Sequence, residues 1–120
     1  MKLRAAKVYV RDIEEASRFY GDLVGIPLKA GGPDKGFCIY DTGPTQLIVE
    51  PVHPGTPEDQ QSLVGRFTGL SFITDDIQGK HRELRARGVE FSAEPQQQFW
   101  GGWTATLRDP EGNVFQLVQQ

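Results

Sequence analysis

The chain has 120 residues, a formal net charge of −3 and 13 Lys and Arg residues scattered along its length. That size suits one domain with a core of its own, and the dispersed charge gives no phosphate-tracking surface, which argues against nucleic acid as a partner. One cysteine, Cys38, excludes an internal disulfide, and no apolar run reaches the roughly 18 residues a bilayer span requires. The N-terminal MKLRAAKVYV lacks the apolar block of a signal peptide, so the expected setting is cytoplasmic, with no membrane contact.

The first predicted element is a strand from Arg4 to Val10, with Ala6, Val8 and Val10 on its core side and Ala5, Lys7 and Tyr9 on the other. Asp12 then caps a helix with Glu15 as its capping-box partner. Ile13, Ala16, Phe19, Tyr20 and Leu23 form the buried stripe, and Gly25 ends the helix. Residues 29–36 are rich in Gly and Pro and read as a loop. Strands follow at Phe37 to Asp41 and Gln46 to Glu50, joined through Thr42-Gly43-Pro44. Residues 51–66 hold three prolines and no sustained period, and are read as a linker.

The pattern then starts again. Residues 70–89 repeat the plan of residues 6–26, 64 positions on: a strand, an Asp at position 76, a charge-rich amphipathic helix carrying Ile77, His81 and Leu84, and a closing Gly88. A strand from Gly69 to Thr74 precedes that helix; a short strand at Val89 to Phe91 and a polar loop at 94–98 follow it. The turn Asp109-Pro110-Glu111-Gly112 closes a final hairpin and pairs Arg108 with Val114, Leu107 with Phe115 and Thr106 with Gln116. Leu107, Phe115 and Leu117 therefore face the helix, and Thr104, Thr106, Arg108, Gln116 and Val118 line the opposite face. Module one is thus 1–50, the linker 51–66 and module two 67–120. A cleft between two related halves is the natural place for a ligand.

Phe99-Trp100-Gly101-Gly102-Trp103 sets aromatic faces around a Gly pair, a good surface for planar or cationic groups. Extending the strand parities gives the candidate ligand-binding set Tyr9, Tyr40, Trp100, Trp103, Arg108 and Gln116. Bland alternatives stand beside it: Trp103 as a core residue, and Lys7 or Arg108 in a salt bridge within a sheet, with Glu50 as the available anion. Cys38 has no activating neighbour in sequence and reads as a buried small hydrophobe.

The phrases VRDIEEASRFYGDLVGI and DPEGNVFQLV, in a repeated order of strand, helix and three strands, resemble the vicinal oxygen chelate superfamily of glyoxalases, extradiol dioxygenases and bleomycin-resistance proteins. The resemblance implies an α+β fold of two βαβββ modules forming a curved mixed sheet around a cavity. It also implies a homodimer with pockets at the subunit interface. Catalytic members hold a divalent metal with His, Gln or Glu from the first and last strands of each module. Carried over by position, these places are Ala5, Gln46 or Ile48, Gly69 and Gln116. Alanine and glycine offer no donor, so no metal and no cofactor is expected. The resemblance is closest in character to the bleomycin-resistance branch, which implies metal-independent sequestration of an amphipathic, partly aromatic small molecule. The alternative is a glyoxalase-like lyase, isomerase or dioxygenase with a degenerate metal site, using Glu50, Tyr9 and Gln116.

Overall fold

The computed structural model describes all 120 residues, which divide into two compact units, 1–66 and 67–120. Each unit is a four-stranded mixed sheet with a helix packed on one face. In the first, β1 (Ala5–Val10) leads to α1 (Ile13–Ser17), a π-helical turn (Arg18–Leu23), and the strands β2 (Leu28–Gly32), β3 (Phe37–Asp41) and β4 (Gln46–Pro51), in the spatial order β1-β4-β3-β2. A short helix, α2 (Glu58–Gln61), lies in the segment before the second unit. That unit holds β5 (Phe67–Ile73), α3 (Ile77–Ala86), β6 (Glu90–Gln97), β7 (Trp103–Arg108) and β8 (Val114–Gln119), in the equivalent order β5-β8-β7-β6.

Both helices start as their caps dictate. Asp12 Oδ1 accepts the Glu15 amide at 3.1 Å, and Asp76 Oδ1 accepts the Gly79 amide at 2.9 Å. The cores follow from the alternation. Val8, Val10, Leu47, Val49, Cys38 and Tyr40 turn to the helix side of the first sheet, where Phe19 and Tyr20 meet them. In the second, Ala105, Leu107, Phe115 and Leu117 face Ile77, His81 and Leu84.

Three expectations need correction. Residues 28–32 form β2, where the Gly-rich composition predicts a loop; its first three residues are exposed, so no buried alternation marks it. The first helix does not stay α-helical: the Val24 amide reaches Phe19 O at 2.9 Å, five residues back, where two consecutive rings, Phe19 and Tyr20, are both buried. And β6 runs on to Gln97 through the predicted polar loop, irregular between Phe91 and Ala93 and again before Gln96, as edge strands often are. The final hairpin has the predicted register throughout, from Arg108 opposite Val114 to Thr106 opposite Gln116.

Candidate functional site: an open sheet face with an indole at its end

The hairpin that fixes this register is held by a buried carboxylate. Asp109 accepts the amides of Glu111 and Asn113 and the side-chain Nδ2 of Asn113, each at 2.9 Å, and both residues are buried. With the turn locked, parity along β7 and β8 is settled, and the face away from α3 carries Thr104, Thr106, Arg108, Val114, Gln116 and Val118. Neighbouring β5 adds Ser71 opposite Gln116, Ile73 opposite Val118 and Phe67 opposite Val114. Ile73 and Phe67 are 72% and 61% exposed. Hydroxyls, an amide and a guanidinium thus lie among solvent-facing apolar groups.

Trp100 stands at one end of this surface. A Cβ at Gly102 would fall within its indole ring, so glycine is what lets the ring lie against the backbone there. By alternation from Trp103, position 102 has the parity of Thr104, which places the indole on the open face. Gln98 Nε2 donates to Thr104 Oγ1 at 2.8 Å and ties the β6–β7 turn to the same surface. Arg108 has Glu90 opposite it on β6, 3.8 Å away. At that distance, with both groups well exposed, the pair is weak and easily exchanged for another anion.

Of the six candidates, Trp100, Arg108 and Gln116 are brought onto this one face. Tyr40 and Trp103 are not. Tyr40 is buried beside Cys38 and Tyr20 on the helix side, where burial and a hydrogen bond with Cys38 push its hydroxyl well above the ordinary phenol value. Trp103 shares the parity of Ala105 and Leu107 and so faces α3, the alternative the sequence leaves open. Tyr9 belongs to the first unit, where it lines a hollow of about 340 Å³ with Glu50, His53, Thr56, Gln60 and Leu63. Glu50 is ion-paired there with Lys7 at 3.1 Å; that hydrogen bond, then the carboxylate charge, raise the Lys7 pKa. Sequence reasoning names neither the support from Gln98 nor the space at Gly102, since both depend on how the β6–β7 turn folds back.

The positions that would hold a metal can now be tested against their donors. Strand pairing sets Ala5 opposite Gln46 and Ser71 opposite Gln116. Gly69 lies where β5 slips against β8, between Phe67 and Ser71, with φ of +73°. There Thr68 Oγ1 donates to Val114 O at 2.7 Å and receives the Leu70 amide at 3.2 Å. The donors amount to neutral amides, and nowhere do three or more His, Cys, Asp or Glu gather to hold an ion. These residues do not fit a divalent metal.

The family profile of the glyoxalase/bleomycin resistance protein/dioxygenase superfamily matches residues 2–117. The chain belongs to that superfamily. The Bacillus subtilis (strain 168) protein YetH is 31% identical to this glyoxalase/bleomycin resistance superfamily member, over 93% of this chain and 92% of its own length. A superfamily member from Sphaerobacter thermophilus DSM 20745 superposes with a TM-score of 0.84 at 30% identity, over 100% of this chain and 98% of its own. TnmS3, an antibiotic binding protein from Streptomyces sp. CB03234, has a TM-score of 0.79 at 30% identity, over 99% of this chain and 95% of its own. No helix is long and apolar enough to cross a membrane.

Proposed function

We propose that this protein binds and sequesters an amphipathic, partly aromatic small molecule without help from a metal, stacking it on Trp100 and contacting it through Thr104, Thr106, Arg108 and Gln116. The observation that carries the reading is the donor set: alanine at 5 and glycine at 69 stand where a metal-dependent relative needs side-chain ligands, while the polar open face beside Trp100 is intact. The likeness to an antibiotic binding protein at 30% identity supports it. We further propose a homodimer, since Phe67 and Ile73 leave apolar surface on that face for a second chain to cover.

Calorimetric titration of chelator-treated protein against a panel of aromatic antibiotics tests the reading. Saturable binding that survives metal removal is expected, and Trp100→Ala weakens it by about 1–3 kcal/mol, as for other aromatic anchors, with the fold retained. Binding or turnover that requires added zinc, nickel, manganese or iron would overturn the proposal, as would a Trp100→Ala variant with unchanged affinity.

A further inference from the structure

On the helix side of the second unit, a cleft of about 420 Å³ opens between the C-terminal half of α3 and the start of the edge strand β6, lined by His81, Arg85, Val89, Glu90, Phe91 and Glu94. It lies away from the open face proposed above. His81 is only 8% exposed, its Nε2 is buried without a hydrogen-bond partner, and its ring stands edge-on to Phe91 with centroids 4.6 Å apart. A buried polar atom left unpaired is costly and uncommon in folded proteins.

Arg85 is one helical turn beyond His81, on the same face of α3. Its guanidinium meets the Glu94 carboxylate only at 4.0 Å, the outer limit of an ion pair, and both groups are largely exposed. Glu90 is already opposite Arg108. Two donors, one imidazole and one loosely held guanidinium, therefore flank a cleft with Val89 and Phe91 in its wall. A carboxylate oxygen from Glu94 already hovers near one of them.

We infer that this cleft is a binding site for small apolar monocarboxylates, whose carboxylate takes the guanidinium of Arg85 beside the edge of the His81 imidazole that lines the cleft, while an apolar ring or branch rests on Val89 and Phe91, displacing the Glu94 carboxylate. A monoanion suits the site better than a dianion, because Glu94 repels each added negative charge. The charge balance around His81 agrees. Burial first, then Arg85 and Arg82, hold its pKa below the ordinary value, with only Glu94 opposing them, so an anion placed there would draw the pKa back up. Glu94 acts in this scheme as a tethered competitor.

The probe is benzoate, with benzamide as its uncharged counterpart, followed by nitrogen-correlated NMR of the histidine rings in the full chain. Benzoate should shift the His81 signals saturably and raise the imidazole pKa, and benzamide should do neither. Glu94→Gln, an exposed change, should tighten benzoate binding by at least threefold, and Arg85→Gln should weaken it by at least tenfold. Equal effects of benzamide and benzoate would overturn the assignment. So would a Glu94→Gln variant with unchanged or weaker binding, or benzoate shifts confined to Trp100 and Gln116. The last outcome would still leave the open-face ligand site standing.

Discussion

The helices of the two units begin alike, each on an aspartate that accepts the amide three residues on, yet they fill the space beneath them in opposite ways. Under the first, Phe19, Tyr20 and Tyr40 close the gap with rings, Phe19 meeting Tyr20 edge-on at 4.8 Å. Under the second, the equivalent space holds an imidazole with one nitrogen unmet beside a cleft. A duplicated supersecondary plan thus fixes where a helix starts and which side it buries. It leaves each copy free to use the interior for stability or for recognition.

Removing a ring from the filled interior is the harshest way to break this contrast. Tyr20 is completely buried, so Tyr20→Ala should cost about 3–5 kcal/mol by loss of burial and creation of a cavity, read as a lower denaturation midpoint. A loss under 1 kcal/mol would mean that the first interior is as loosely filled as the second.

The hairpin turns sharpen it next. Asp109 is buried and satisfies three donors, whereas its counterpart before the β3–β4 turn, Asp41, is exposed and accepts only the Gly43 amide, at 3.0 Å. Asp109→Ala should therefore cost about 2–3 kcal/mol, chiefly by removing the buried acceptor of three hydrogen bonds, and Asp41→Ala under about 1 kcal/mol. Equal losses in urea denaturation would show that burial is not what separates the two turns.

The mildest effect should come from acid. The pKa of His81 is lowered in the folded chain, so between the unfolded value of about 6.5 and that lower value the unfolded chain binds the extra proton. Stability attributable to this group is therefore full above about pH 6.5 and declines as pH falls below it. His81→Leu should flatten that part of the stability profile. A wild-type profile that rises on acidification through this range would reverse the sign of the assignment.

Much of the architecture was legible because the signals were local. Asp12 and Asp76 mark their helices by chemistry confined to one turn, and Asp109-Pro110-Glu111-Gly112 carries its own register, so the parity of Thr106, Arg108 and Gln116 follows without tertiary information. What escaped was structure with no burial behind it. β2 and the far end of β6 are edge segments whose exposed residues show no apolar alternation. The site was legible to the same extent. Arg108 and Gln116 could be placed because they flank the turn, but Tyr40 follows Cys38 to the buried side, which only its packing against Tyr20 reveals. The pattern of α3 turns His81 inward, but its unmet nitrogen depends on what β6 sets beside it, which α3 alone does not reveal.

The slip in β5 sets what any side chain at position 69 would have to tolerate. Gly69 sits at φ of +73°, a region that costs a side-chain-bearing residue roughly 1–2 kcal/mol, within a segment whose pairing is replaced by the bridge from Thr68 to Val114. A single Gly69→His substitution would therefore place an imidazole on a strained backbone and not on a regular strand position. The backbone, and not only the missing side chain, therefore keeps a metal ligand from this position.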